Sequence, residues 1–335
     1  MLAFCYVKPG TDDPLKIRQV NLYSRFLLIF VFISLSAFAE EGIDLEYSEL
    51  MPLATTSMLL DITRAGDGFV AVGERGHIII SDDGRSWKQA EIVPTRATLT
   101  TVFSVGARLW AGGHDAVIMT SGDGGNTWTL QNSEPELQQA VMDLRFVDTN
   151  HGMAIGSYGL ALITSDGGNN WHSSPVDEEN DFHLNSFTAI GNDRIMIAGE
   201  AGFSYRSFDG GGTWESMDLP YGGSMWGSIG TSNECILFYG LRGHAMESCD
   251  FGSTWKELES GTLSSLSGSA AHDGMLVLAG NGGTVLTRDG NGPFTLYSHS
   301  SGVDFSAVAA TGDGHFLLVG EDGVHIFPES AGESE

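Results

Sequence analysis

Three features of the sequence predict an all-β fold, a seven-bladed β-propeller of four-stranded antiparallel blades. Tryptophans recur at Trp87, Trp128, Trp171, Trp214 and Trp255, spaced by 41, 43, 43 and 41 residues, and Phe294 continues the series 39 further on. An aspartate stands five residues before each aromatic, at Asp82, Asp123, Asp166, Asp209, Asp250 and Asp289. An apolar strand running into Gly-x-x-Gly precedes each of these turns, as in Gly156/Gly159 and Gly280/Gly283. A period near 40 residues carrying four short strands is that of a propeller blade. Forty-five glycines against nine prolines, with 41% apolar residues, fit many tight turns around an ample core.

The chain opens on a segment outside this repeat. Lys16, Arg18 and Arg25 precede an apolar run over residues 26–39 that ends in Ala37-Phe38-Ala39. This order of basic stretch, short apolar stretch and small-x-small site predicts a signal peptide over residues 1–39, cut after Ala39. The alternative is an uncleaved membrane anchor. The apolar run is short for a bilayer, so no membrane insertion is expected after cleavage. The propeller is then assigned to residues 40–328, and residues 329–335 to a disordered tail.

Cleavage removes four of the 16 basic and two of the 43 acidic residues, which takes the net charge from −27 to −29. So negative a surface repels nucleic acid and anionic lipid. Exported and high-salt proteins carry solvated surfaces of this kind, and basic partners would be favoured.

Each repeat reads as strand a, turn, strand b, Gly-x-x-Gly turn, strand c, Asp turn, strand d. The first strands begin near Met58, Leu99, Val141, Leu184, Met225, Leu266 and Phe305. In the Asp turn the carboxylate accepts backbone N–H bonds from the residues that follow, and a glycine supplies the positive φ. The aromatic then opens strand d and packs inward, for a gross gain of about 4–6 kcal/mol per indole before entropy is counted. The Gly-x-x-Gly pairs are hairpin turns; no helix follows them, so they are not phosphate loops. The second copy departs, reading Gly113-His114-Asp115-Ala116. The seventh unit ends after Val324–Phe327 without a fourth strand. Residues 43–47, which alternate in polarity, are expected to supply it and close the ring.

Cys235 and Cys249 flank the hairpin at Gly240–Gly243. They read as a disulfide across that hairpin or as two buried free thiols. Trp110 and Trp226 lie outside the Asp turns, and a core role is the expectation for both.

In a propeller the b–c turns and d–a connections share one face and the Asp turns lie on the other. The b–c turns carry polar residues that vary from copy to copy on a rigid frame, which is where recognition concentrates. The predicted binding face is therefore Glu74, Arg75, His114, Asp115, Tyr158, Glu200, Arg242, Glu321 and Asp322. No catalytic residue, metal site or cofactor is predicted. There is no His-x-x-x-His, Cys-x-x-Cys or Gly-x-Ser-x-Gly in a suitable setting. Loose Ca²⁺ binding by turn carboxylates such as Asp82 and Asp83 is the weak exception.

The run Phe146-x-Asp148-x-x-x-Gly152-x-Ala154-x-Gly156-x-x-Gly159, then Thr164-x-Asp166-Gly-Gly-x-x-Trp171, resembles the repeat of the photosystem II stability and assembly factors. It also resembles the wider Asp-box (BNR) class, which includes sialidases. The first resemblance implies a periplasmic or lumenal protein, not an enzyme, that engages a membrane complex or its exported subunit as a monomer. Photosynthetic members engage their client through arginines on one face. Here ten Arg and two Lys remain after residue 39, and of the Gly-x-x-Gly turns only those holding Arg75 and Arg242 contain one. A relative serving another envelope complex fits that charge better. The alternative is a carbohydrate-binding or glycoside-hydrolysing propeller, which would need a deep central pocket with aromatics and paired carboxylates. The sialidase Arg-Ile-Pro segment is absent.

Overall fold

The computed structural model describes residues 45–231 and 234–329. The predicted signal peptide, residues 43–44 of the predicted closing strand and residues 330–335 of the predicted tail lie outside them.

Twenty-seven strands, numbered here in chain order, form seven antiparallel sheets in sequence order, the blades of a propeller. The inner strand of each blade is β1 (Leu59–Ala65), β5 (Leu99–Val105), β9 (Val141–Phe146), β13 (Leu184–Ile190), β17 (Met225–Gly230), β21 (Leu266–His272) or β25 (Phe305–Ala310). Among the described residues, blades 1–6 have four strands and blade 7 has three. The second strands are apolar on both faces, as in the wholly buried Ile236–Gly240, because each is covered by a blade on either side. The core accordingly divides into seven clusters, each shared by adjacent blades. One joins the last blade to the first through Leu59, Ile79, Leu317 and Val319.

Ring closure departs from the sequence expectation. Blade 7 ends with β27 (Gly323–Phe327), which pairs only with β26 (Phe316–Gly320) among the described residues. Leu45, Glu46 and Tyr47 form no strand. The segment instead runs along blade 1: Ser48 donates its N–H to Val93 O, Arg96 Nε donates to Tyr47 O, and Gln89 clasps both Glu49 O and the Met51 N–H. Of these groups the Tyr47 carbonyl belongs to the predicted closing strand, and the Arg96 side chain takes it up.

The Asp turns take the predicted form in four copies and differ in two. In blade 2, Asp123 Oδ1 accepts the Thr127 N–H and the Ser121 hydroxyl, while Ser121 Oγ accepts the Gly125 N–H. Asp166, Asp209 and Asp250 repeat this. In blade 1 the working residue is Asp83, not Asp82. Asp83 Oδ1 accepts N–H bonds from Arg85 and Ser86. Ser81 and Trp87 are one residue closer than in the other copies, so counting back from the tryptophan overshoots by one. In blade 6, Asp289 stays in strand β23 (Thr284–Asp289), paired with Met275. The residue four further on is Pro293, which has no N–H to donate. That turn closes through the backbone instead, from Gly292 N–H to Asp289 O.

Cys235 and Cys249 are joined, with Cα atoms 4.0 Å apart, at the end of the hairpin where Ile236 faces Ser248. Trp110 is fully buried, stacks on Phe146 at 3.7 Å and donates its indole N–H to Gly167 O. Glu329, assigned from sequence to the tail, bonds through its carboxylate to Ser300.

Candidate functional site

The first glycine of each Gly-x-x-Gly pair sets the geometry at the axis. A Cβ on Gly73 would lie 2.0 Å from Met58 O, and one on Gly280 1.9 Å from Ser265 O. Only glycine lets the second strand approach the start of the first so closely. The pairing register shifts at this point in every blade: Leu59 faces Gly73, but Asp61 faces Val72. The other six blades shift at the equivalent residues. The residue left over is a β-bulge, which redirects its side chain. The seven extra residues are Leu60, Thr100, Met142, Asn185, Trp226, Ser267 and Ser306, and all of them line the central channel, a cavity of about 380 Å³. Trp226 is therefore not a core residue; it stands 42% exposed at the channel wall.

In blades 1, 3 and 4 the next residue of the inner strand ties its blade to the following one. Asp61 accepts the Ile62 N–H on its own strand at 2.8 Å and the Val102 N–H of blade 2 at 2.7 Å. Asp143 does the same with Leu144 and with Phe187 of blade 4, both at 2.8 Å. Ser186 meets Ser228, and Tyr239 donates to Ser269, continuing the lacing through blades 4, 5 and 6. Burial pushes the Asp61 carboxyl up to about 7 and that of Asp143 up to about 6, outweighing the N–H bonds that favour their charged forms. The charge on Asp143 also raises Asp61. Neither aspartate was singled out from the sequence. The available signal is a carboxylate third in an otherwise apolar strand start, at Asp61 and Asp143.

The predicted ring of turn residues sits on one face, against the d–a connections. The Glu134 N–H donates to Asp115 O and the Gly159 N–H to Phe182 O. In six b–c turns the middle residue is left-handed: Arg75, Asp115, Tyr158, Ala201, Arg242 and Gly282, with φ from 53° to 66°. The nine predicted residues do not converge on one point. Tyr158 and Glu200 meet through His183, whose ring lies edge-on to Tyr158 at 4.8 Å and whose N–H donates to Glu200. Arg242 lines a separate hollow with His244 and the exposed Leu263. Asp322 bonds His325, while Glu321 accepts the Asp304 N–H. Glu74 and His114 each open a turn, donating a backbone N–H to the strand-a approach at Met58 and Thr98.

Among known proteins, the family described as photosynthesis system II assembly factor YCF48 matches residues 130–223, from the end of blade 2 through blade 4. No curated protein matches the sequence significantly. A solved structure of YCF48 bound to a D1 peptide superposes with a TM-score of 0.67 at 18% identity, covering 84% of this chain and 95% of that one. YCF48 from Cyanidioschyzon merolae gives 0.66 at 18% identity, with 84% and 97% covered. A GH74 xyloglucanase from Xanthomonas campestris gives 0.63 at 13% identity, but only 53% of that chain is covered. Identities this low establish a shared fold. Together with the match over blades 3 and 4, they show that the chain resembles the YCF48 photosystem II assembly factors, as a BNR-type propeller of seven blades.

Proposed function

We propose that this protein is an exported, monomeric, non-catalytic propeller that binds a protein partner through the face of its Gly-x-x-Gly turns, as an assembly or stability factor for an envelope membrane complex. The observation that carries this reading is the set of left-handed turn residues. A rigid turn holds Arg75, Asp115, Tyr158 and Arg242 outward on elements braced by the next connection, so little ordering entropy is lost when a partner docks. The resemblance to YCF48, one structure of which holds a D1 peptide, supports a protein client. The basic-then-apolar leader supports export.

The test is photo-cross-linking in cells from position 158 on this face and from position 149 on the other. Position 158 should capture a membrane-complex subunit, and Arg75→Ala with Arg242→Ala should abolish capture with the melting temperature unchanged. Equal capture from both faces would sink the proposal.

A carbohydrate ligand is the second reading, favoured by the exposed Trp226 beside Tyr239, Asp61 and Asp143 in the channel. It requires oligosaccharide binding that disappears in Trp226→Ala. Calorimetry showing no binding to the wild type would dismiss it.

A further inference from the structure

We propose that a groove between blades 3 and 4, on the face opposite the Gly-x-x-Gly turns, binds a small aliphatic carboxylate with Arg145 as its anion partner. The groove has a volume of about 280 Å³. Its walls are largely apolar, from Val147, Met153, Ile163, Phe187 and Ile195, with Arg145, His151 and His172 as the basic groups. It opens beside the loop that holds His151 and the Asp turn that begins at Thr164.

Arg145 is anomalous in its position and in its lack of a partner. The equivalent residues of the other inner strands, two beyond the lacing position, are Thr63, Phe103, Thr188, Ile229, Ala270 and Ala309. None of them is charged. The Nε of Arg145 is buried without a hydrogen-bond partner. Its nearest candidate, Asp143 on the same face of β9, has both oxygens engaged by the Leu144 and Phe187 N–H groups, and no ion pair forms. Burial lowers the guanidinium's hold on its proton, and the charge on Asp143 opposes this only in part. Arg288 shows the usual arrangement, buried but bonded to Glu247 at 2.7 Å. In a chain with 43 acidic residues, a half-buried arginine with no carboxylate bonded to it can still take an anion. His151 is already held by Asp148.

The ligand class follows from the surroundings. A planar guanidinium favours a carboxylate, which it can grip with two parallel bonds. Apolar walls favour an aliphatic tail. The volume lies just below that of drug-sized pockets, so the acid is small. The strongly negative protein as a whole opposes polyanions, phosphate included.

Octanoate titrated calorimetrically into the full chain is the test, with octanol and inorganic phosphate as controls. Octanoate should bind one per chain, and the two controls at least tenfold more weakly. Arg145→Gln and Ile163→Asp should each weaken octanoate at least tenfold. Ile163 is an exposed strand residue, so its substitution carries the test if Arg145→Gln does not fold. No saturable binding, binding unchanged in a folded variant, or octanol binding as tightly as octanoate would each overturn the proposal. Binding only of a leucine-terminated peptide acid, and not of octanoate, would overturn the assignment to a small acid in favour of a chain terminus.

Discussion

At the scale of single residues, the Asp turns show what a spacing rule can and cannot carry. The physical unit is Ser/Thr-x-Asp: the hydroxyl accepts a glycine N–H while donating to the carboxylate, which in turn gathers the following N–H groups. These bonds hold the Asp166 carboxyl down to about 2, the side-chain bond from Asn170 foremost. The same unit in blade 1 is Ser81-x-Asp83, so Asp83→Ala should lower the melting temperature while Asp82→Ala leaves it unchanged. Thermal unfolding of both variants decides this; equal effects would return the turn to Asp82. The tryptophan series made the repeat legible because an indole packed against the blade core, buried or partly buried, recurs from blade to blade. It misplaced Asp82 because the aromatic marks the next strand rather than the turn. Asp289 was misread for a different reason: its partner position is a proline, and a missing N–H leaves no mark in a pattern of side chains.

At the scale of strands and hairpins, two cross-links can be weighed. Glu247 and Arg288 form a pair between blades 5 and 6, with side chains 11% and 3% exposed. Removing one member of such a pair strands the other charge, at a cost of about 3–5 kcal/mol. Glu247→Ala should fall in that range by urea unfolding, whereas Glu247→Leu with Arg288→Met should come much closer to the wild type. The Cys235–Cys249 bridge closes a loop with a sequence separation of 14, and a loop of that length contributes about 3 kcal/mol through the unfolded chain. Reduction, or serine at both positions, should cost a comparable amount; a loss below 0.5 kcal/mol would show a denatured state already compact around this hairpin. Strand order and blade count were readable because turn chemistry is local. The bulges at Leu60 to Ser306 were not, since an inserted residue has no composition of its own and alternation looks intact on either side. The missing fourth strand of blade 7 was misassigned because residues 43–47 do alternate. The competing bond at Tyr47 comes from Arg96, distant in sequence and without a strand pattern.

For the whole molecule, two populations of carboxyl groups pull the pH profile in opposite directions. The turn aspartate Asp166 contributes stability present above about pH 4 and lost as pH falls through its folded value near 2, and the other depressed turn aspartates act in the same direction. Asp61 and Asp143 are raised to about 7 and 6. Their contribution is complete below their unfolded value near 4 and is lost as pH rises through the folded values. The buried His77 and His299 are lowered, so they act in the opposite sense, losing stability as pH falls below about 6.5. Asp61→Asn isolates the channel group from this sum. The variant should gain on the wild type progressively between pH 5 and 8 in urea unfolding, and a difference independent of pH would show that Asp61 is already ionised in the fold.

The left-handed residue in the middle of six b–c turns limits how this face can vary. Six different turns hold arginine, aspartate, tyrosine, alanine, arginine and glycine there, and none is branched at Cβ. Valine, isoleucine or threonine would crowd the backbone at positive φ, costing about 1–2 kcal/mol each. The surface can therefore be respelled turn by turn, in charge and in size, from an alphabet that omits three letters. A library built to retarget the wheel should observe that omission before it varies anything else.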